Sequence, residues 1–348
     1  MADNEFVVTG AGMHTPVGTS AVQTSASLRA GISRLAAWPH HGHAGEPLVV
    51  GSVAADGKDA AWVEKAVPIL TPALYKALWQ AGLYEHTYHR RRVGLFIATP
   101  SPTRTGVHPD LLADYGEYLG DVWTELAGNA AVHPVARAQV GGAVALAQAC
   151  EALARGELDA AVVAGYESQL DGPYLDELIA DGRLRTGDRP GGIIPGEGAA
   201  AFVLETGEAA RARRAPVLAR LVAVALESEP EGWSPRRPSQ AAALGRALQT
   251  VLAADPGAYH RLIADHTGER WRFREWALAE PRALGSLPPR WALWHPADSL
   301  GDIGAAFVPL AVGWATQAFA RKYAGPGGIV IAAMNDTGER AALTLMPT

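Results

Sequence analysis

The sequence predicts an α/β protein built from two similar halves. Strand and helix patterns alternate along the chain, which favours parallel strands covered by helices. Residues 92–99 (RVGLFIAT) form one continuous apolar run, typical of a strand buried on both faces. The same order of patterns begins again after residue 215. We therefore divide the chain into halves 1–215 and 216–348 and predict a duplicated αβαβα layering.

The elements follow from local composition. Short apolar segments flanked by Gly, Pro and polar residues predict strands at 6–8, 48–54, 92–99, 159–164, 198–205, 217–228, 261–265, 291–294, 327–333 and 341–345. Longer segments predict helices at 20–30, 71–82, 109–126, within 135–158, at 240–254 and at 304–323. Ser20 is the expected N-cap of the first helix, and Pro72 the expected first residue of the second. Residues 39–45 and 181–192 are expected to be loops.

The composition limits the classes of protein to which the chain can belong. The 348 residues are 48% hydrophobic and 19% charged, enough for a large α/β core. A net charge of −6 does not indicate a surface that binds nucleic acid or an anionic membrane. The single cysteine, Cys150, excludes intrachain disulfides and a Cys-based zinc cage. Without a signal-peptide layout or a long apolar span, we expect a soluble, cytoplasmic protein.

Four segments in order carry a resemblance to a known family: FVVTGAGMHTPVGTSAVQTSASLRAGIS, ARGELDAAVVAGYES, DRPGGIIPGEGAAAFVLE and SLGDIGAAFVPLAVGWA. Together they resemble the thiolase superfamily, most closely the β-ketoacyl synthases. The third segment, with its Gly-Glu-Gly-Ala core, is the most specific. The resemblance implies a thiolase-like fold with the duplicated layering described above.

The resemblance also implies a cysteine nucleophile at the first turn of the helix within 135–158, and this position holds Gln139. In the family, the helix dipole and nearby histidines activate the thiolate, and backbone N–H groups stabilise the oxyanion. A carboxamide is neither ionisable nor nucleophilic. No Cys, Ser or Thr occurs between residues 125 and 149. Cys150 lies about three turns further along and is expected to pack as a small apolar residue.

The two histidine positions of the family are also altered. His266 matches the first, although we favour a polar residue that ends a strand. Asp302 stands at the second and is explained as a helix-capping carboxylate. The family's upstream lysine is missing, and His295 lies nearby but precedes a proline. Glu197 matches a family glutamate that is mainly structural.

Other departures concern the loops and the assembly. Residues 333–338 replace a glycine-rich Phe-Gly-Gly turn and carry no aromatic gate. The strand that pairs subunits in the family corresponds to 129–138, where Pro134 argues against a central pairing strand. The chain is also shorter than most synthases. Both a monomer and a homodimer therefore remain open.

Two further clusters of side chains are candidate sites. His40, His41 and His43 could bind a metal, but a polar loop is favoured, and we expect neither metal nor cofactor. The aromatic residues of segment 269–283 are more often packing residues. Because Trp and Arg are enriched at interface anchors, this segment is nevertheless the first partner surface to test. Its aromatic residues are Trp271, Phe273 and Trp276.

Three functions follow. The first is a catalytically inactive adaptor or chaperone, because short degenerate chains of this type resemble proteins of bacterial type VI secretion clusters that help load an effector onto the delivery spike. The alternative is a chain-length-factor-like partner of a β-ketoacyl synthase in polyketide or fatty-acid synthesis; those proteins also carry Gln at the nucleophile position. A carrier protein would then need a basic patch, for which 211–214 (RARR) is the candidate. The third is an enzyme using Glu197, His266 and Asp302 for acid/base chemistry.

Overall fold

A computed structural model describes residues 5–42, 45–53, 62–83, 91–107, 109–127, 131–234, 236–255, 259–285 and 291–348. Its strands are β1 (Phe6–His14), β2 (Ala36–His41), β3 (Pro47–Val50), β4 (Val93–Thr99), β5 (Val132–Ala136), β6 (Ala160–Ser168), β7 (Glu197–Thr206), β8 (Ala219–Ser228), β9 (Tyr259–Ala264), β10 (Ala292–Trp294), β11 (Gly328–Met334) and β12 (Glu339–Met346). Its helices are α1 (Ala21–Arg29), α2 (Trp62–Ala81), α3 (Pro109–Ala127), α4 (Ala138–Ala154), α5 (Gly172–Ala180), α6 (Gly207–Ala212), α7 (Ala242–Ala254), α8 (Arg270–Ala283), α9 (Ala297–Leu300) and α10 (Phe307–Ala320). A 3₁₀ turn, Gly304–Ala306, leads directly into α10.

The strand order repeats. The main sheet runs β5-β4-β6-β7-β1-β8-β12-β11-β9-β10. The strands of this sheet that lie before residue 207 form one set, and those after residue 218 form a second. When the strands of each set are numbered in chain order, both sets run third, second, fourth, fifth and first from the edge of the sheet to its middle. Parallel and antiparallel pairs also fall at the same places in both sets. The duplication is therefore present in topology although it is not visible as sequence identity.

The layers agree with the predicted αβαβα arrangement. A central apolar cluster packs α1, α4 and α10 between the two sets of strands. A second cluster packs α2 and α3 outside the first set, and a third packs α7 and α8 outside the second. Helices α4 and α10 approach closely at Gly142, where an added Cβ would lie 2.8 Å from Cβ of Val308. The starts of these two helices are thereby brought together at the middle of the molecule.

Three local expectations change. Helix α2 begins at Trp62 rather than residue 71, so Pro68 and Pro72 lie inside it; its buried residues, such as Leu70 and Leu74, outweigh the proline signal. Part of the expected loop 39–45 belongs to the hairpin β2–β3, and residues 43–44 lie outside the described residues. Pro134 is inside strand β5, which the patterns missed. This strand is the last in its sheet, where a proline is tolerated.

The described residues contain neither a candidate membrane span nor a candidate metal cluster. No helix there is both long and apolar enough to cross a bilayer. No group of three His, Cys, Asp or Glu side chains in the same residues could hold a metal ion. In the predicted histidine cluster, Nε2 of His40 contacts Oδ1 of Asp176 at 2.9 Å, and His43 lies outside the described part of the chain.

Candidate functional site

Gln139 lies at the start of helix α4, where a strained residue turns the chain. Strand β5 ends at Ala136, and Ala138, the first residue of α4, has φ of 47°. This left-handed conformation costs a residue with a Cβ about 1–3 kcal/mol. Gln139 follows and is 8% exposed at the wall of a cleft. The short link between strand and helix therefore fixes Gln139 at the cleft.

The cleft has a volume of about 250 Å³ and is walled by polar side chains. It lies between the start of α4, the end of β6, the loop after β4 and the turn between β11 and β12. Two arginines, Arg104 and Arg183, stand on its walls together with the aromatic rings of Tyr174 and Trp233. Among the described residues that line it there is no histidine and no cysteine.

The amide of Gln139 is held by Asp302. Nε2 of Gln139 donates to Oδ2 of Asp302 at 3.3 Å, and Oδ1 of Asp302 accepts from the backbone N–H of Gly304 at 2.8 Å. The sequence predicted that these two positions belong to one site, and the structure brings them into contact. An amide–carboxylate pair therefore stands where the resemblance places a thiol and a histidine.

A buried ion pair forms the floor beside this contact. Arg104 donates to Oε1 of Glu167, donates to the carbonyl of Ser168 at 2.8 Å, and lies 4.2 Å from the ring centre of Tyr174. Burial raises the pKa of Glu167, the charge of Arg104 opposes this, and the charge of Asp302 adds to it. An additional negative charge at this point would therefore be strongly disfavoured.

The opposite wall carries a second cationic centre. Arg183 donates to Oε1 of Glu269 at 2.8 Å and to Oδ2 of Asp336 at 2.7 Å, and it lies 4.5 Å from the ring centre of Trp233. Burial works against ionisation of Asp336, but the charges of Arg183 and Arg272 outweigh it and lower the pKa of this carboxyl. Most of the charge in the cleft is thus paired within the protein.

The turn at residues 333–338 is held by its own side chains. Asn335 donates to the carbonyl of Arg137 at 3.2 Å and to Oε2 of Glu339 at 2.7 Å. Its side-chain oxygen accepts from the backbone N–H of Glu339 at 2.9 Å and from the hydroxyl of Thr337 at 3.0 Å. These bonds tie the turn to the residue before α4, so it forms a fixed wall of the cleft.

His266 does not reach the cleft. Its ring packs 4.6 Å from the centre of Phe273 and edge-on 5.4 Å from that of Trp276. In the described part of the chain neither ring nitrogen has a hydrogen-bond partner. Burial, followed by the charges of His295 and Arg272, lowers the pKa of His266 to about 3. The imidazole is therefore a neutral packing group two residues after the end of β9.

This environment predicts a pH dependence. The unfolded chain takes up a proton on His266 below about pH 6.5, whereas the folded chain does so only near pH 3. Because protonation favours the unfolded chain in this window, the free energy of unfolding falls as the pH drops below 6.5. The loss amounts to up to about 1.4 kcal/mol per pH unit in that window. His266→Phe should remove this pH-dependent loss, so the free energy of unfolding of the variant should rise relative to that of the native protein as the pH falls.

Urea unfolding at pH 7.5, 6 and 5 measures this difference. His41→Phe, at an exposed position, is the matched control and should follow the native pH profile. Parallel profiles for His266→Phe and the native protein would contradict the assignment.

Glu197 is a structural acceptor. It is fully buried and accepts from Ser52 Oγ at 2.8 Å, from the backbone N–H of Val53 at 2.8 Å and from Ser168 Oγ at 2.9 Å. Those contacts are separate from the ones made by His266 and by Asp302. The third hypothesis, acid/base chemistry by these three residues, therefore has no shared geometry to support it.

Cys150 packs against the central apolar cluster and does not line the cleft. Burial, reinforced by the charge of Glu151, raises the pKa of its thiol to about 12. Such a thiol is almost wholly protonated near neutral pH and is a poor nucleophile.

The predicted partner surface is only partly exposed. Trp276 is 5% exposed and belongs to the outer apolar cluster, so it cannot contribute to an open surface as predicted. Trp271 is half-buried, and the guanidinium of Arg272 lies 4.6 Å from its ring centre. Phe273 is 46% exposed, and its role in partner binding stays a prediction. The positions of the two tryptophans on α8 place Trp276 on the buried side of the helix and leave Trp271 half-buried.

No family model matches the chain. The 3-oxoacyl-[acyl-carrier-protein] synthase 2 proteins of Mycobacterium bovis and Mycobacterium tuberculosis are 29% identical over 198 residues, which cover 49% of this chain and 46% of each relative. The match therefore spans less than half the length of these relatives.

Solved structures match along the whole chain. A ketosynthase structure with its acyl-carrier protein, described as a type II polyketide synthase complex bound to the hexaketide, superposes with a TM-score of 0.82 at 18% identity, covering 99% of this chain and 100% of that one. The chain has the thiolase-type fold of the ketosynthases. The ishigamide ketosynthase/chain length factor superposes with a TM-score of 0.77 at 19% identity and full coverage of both chains. The resemblance to secretion adaptors gains no support from these comparisons.

Within this ketosynthase fold, sequence patterns missed the charged residues of the cleft. Arg104 and Arg183 lie outside the four family-like segments; Glu167 lies in the second of them and Asp336 in the turn 333–338, and neither pattern assigns these residues a role. The only available signal was position, since Glu167 and Asp336 end or follow apolar strand segments. Their pairing depends on chain segments more than 60 residues apart.

Proposed function

We propose that this protein is a non-condensing, chain-length-factor-like partner of a β-ketoacyl synthase. The observation that carries the proposal is the Gln139 amide at the start of α4, hydrogen-bonded to Asp302 in place of a thiol and histidine. Such a site lacks the nucleophile that the resemblance to the ketosynthases implies at this position.

The chemistry of the cleft supports this. Acyl transfer through a covalent intermediate needs a nucleophile and a base that activates it. The carboxamide of Gln139 supplies neither. Two hydroxyls on the cleft wall, Ser101 and Thr103, lie 2.8 Å apart and bond to each other, and the described lining holds no histidine to activate them. Condensation by this chain alone is therefore not expected.

The comparisons favour this role over the secretion adaptor. One matching structure is a ketosynthase/chain length factor, and another contains a ketosynthase with its acyl-carrier protein. A protein partner of the same fold is the natural inference for a chain that has the fold but not the nucleophile. An adaptor role would also tolerate the missing nucleophile, but no observation on this chain points to an effector or spike component.

Co-purification tests the proposal. The tagged chain is co-expressed with each ketosynthase encoded in its native genome, and complexes are measured by size-exclusion chromatography with mass determination. We expect a stable complex with one of them, and product lengths from malonyl-charged carrier protein that change when this chain is omitted. A ketosynthase from an unrelated organism is the negative control. Failure to bind any native ketosynthase, with capture of a secreted toxin instead, would favour the adaptor.

A further inference from the structure

The outward side of helix α8 forms a continuous exposed stripe. Five exposed residues recur at intervals of three or four positions, so they share one side of the helix, while the opposite side packs in the outer apolar cluster. We call these residues, together with the neighbouring Arg282, the α8 face: Arg270, Phe273, Arg274, Ala277, Pro281 and Arg282. None of them lines the cleft at Gln139, so the two surfaces are separate.

The arginines of the α8 face carry charge that is not paired with a carboxylate in the described residues. Arg270 makes no hydrogen bond or ion pair there. Arg274 and Arg282 donate to backbone carbonyls of the loop before α7, at 2.8 and 2.6 Å, which orients them without cancelling their charge. Of the two carboxylates of α8, Glu275 is buried in its own ion pair and Glu280 is half-buried. The α8 face is therefore net positive.

An apolar centre lies between these charges. Phe273 is 46% exposed, and the far side of its ring rests 4.6 Å from the ring centre of His266, which holds it in place. Ala277 lies one turn further along the same side, and its small side chain leaves a shallow recess between Phe273 and Pro281. A fixed aromatic ring among arginines is the composition typical of interface anchors.

The basic patch that the sequence predicts at 211–214 offers less free charge. Arg211 pairs with Glu5 at 3.0 Å, and Arg213, whose side chain is 10% exposed, pairs with Glu205. Two of the three arginines of that segment are thus neutralised within the chain. The α8 face, whose arginines keep their charge, is therefore the better surface for an anionic partner.

We propose that the α8 face docks an acidic, amphipathic helix of a protein partner. The apolar side of that helix meets Phe273 and the recess at Ala277, and its flanking carboxylates pair with Arg270 and Arg274. A protein helix is favoured over nucleic acid because the apolar centre offers nothing to a phosphate backbone and the chain as a whole carries a net charge of −6. The proposal does not depend on the proposed function, because no residue of the α8 face lines the cleft.

A defined peptide tests the proposal on the native full chain. The probe is a labelled, capped peptide of 14 residues, the length of α8, with leucine at helical positions i, i+3, i+4 and i+7 and glutamate at most others. Fluorescence anisotropy should show saturable binding that weakens as salt rises from about 0.05 to 0.5 M. Binding should be at least about tenfold weaker when the leucines are scrambled off one side, and absent when each glutamate is replaced by lysine.

Matched variants locate the binding surface. Arg270→Glu should weaken binding at least about fivefold, whereas Arg34→Glu, at an exposed position outside α8, should leave the affinity within about twofold. Phe273→Ala should weaken binding about tenfold. Tyr118→Ala, at a 47% exposed position on α3, removes a similarly exposed ring and should not change the affinity. Circular dichroism of each variant should stay native.

Four results would each overturn the proposal. They are no saturable binding at millimolar peptide, equal affinity for the scrambled peptide, equal losses in Arg270→Glu and Arg34→Glu, and tighter binding of a short duplex DNA than of the acidic peptide. The last result would assign the α8 face to nucleic acid instead.

Discussion

Replacing Glu275 by alanine is expected to lower the free energy of unfolding by about 3–5 kcal/mol. Glu275 and Arg340 are 1% and 0% exposed, and they form a two-point ion pair in which Nη2 of Arg340 donates to Oε2 at 2.9 Å. Removing the carboxylate leaves a buried guanidinium charge without a counter-ion, which costs far more than the contact itself contributes.

The matched control is Glu227→Ala. Glu227 pairs with Arg246 at 2.9 Å, where the two side chains are 29% and 52% exposed, so its loss should cost no more than about 1 kcal/mol. The double variant Glu275→Leu with Arg340→Met should regain much of the lost stability, because the charge is removed with its partner. Urea unfolding followed by circular dichroism measures all three. Equal effects of Glu275→Ala and Glu227→Ala would contradict the buried-pair account.

This ion pair also supports the cleft. Arg340 donates to the carbonyl of Asn335 at 2.9 Å, and Arg272 donates to the carbonyl of Met334 at 2.7 Å. Asp265 accepts from Arg272 and from the backbone N–H of Met334, both at 2.8 Å. The buried charges thus fix the turn that walls the site.

Gln139→Glu is expected to destabilise the protein by about 2–3 kcal/mol at pH 8. The substitution replaces a donor that faces Oδ2 of Asp302 with a second carboxylate, near Glu167, whose pKa is already raised. The helix dipole of α4 favours a negative charge by only about 0.3–1 kcal/mol, which is smaller than this repulsion. The pKa of the introduced carboxyl is raised in the fold, so the penalty is largest above that pKa and shrinks as pH falls toward about 4.

Two variants isolate the charge. Gln139→Met has similar size without charge or donor, and should cost only about 1 kcal/mol. In an Asp302→Asn background the penalty of Gln139→Glu should largely disappear, since the two sites are in contact. Thermal unfolding across pH 5 to 8 measures the cycle. A pH-independent effect, equal in both backgrounds, would show that Gln139 and Asp302 are not coupled.

The fold was predictable because its signals are local. Strand β4 is an unbroken apolar run, and the segments around Glu197 and Asp302 keep the order and spacing of the family. The contact between Gln139 and Asp302 agrees with that order, since Gln139 lies in the first turn of α4 and Asp302 lies shortly before α10.

The charged pairs of the cleft and the orientation of α8 depend on packing between segments that are distant in the sequence. The pairing of Arg104 with Glu167 joins residues 63 apart, and nothing in either segment signals it. The sequence does not show which side of α8 meets the sheet, and the structure buries Trp276 of the predicted partner surface there. The proline signal was wrong in α2, where a buried stripe made a proline acceptable; Pro134 lies in the edge strand β5, in agreement with its argument against a central strand.

Intact-protein mass spectrometry after incubation with acetyl and malonyl thioesters tests the central claim most directly, namely that the residue at the start of α4 cannot accept an acyl group. We expect the native chain to keep its unmodified mass, because Gln139 is not a nucleophile and the Cys150 thiol is held protonated. A stoichiometric acyl adduct that appears on the folded protein and is lost on unfolding it beforehand would contradict this account.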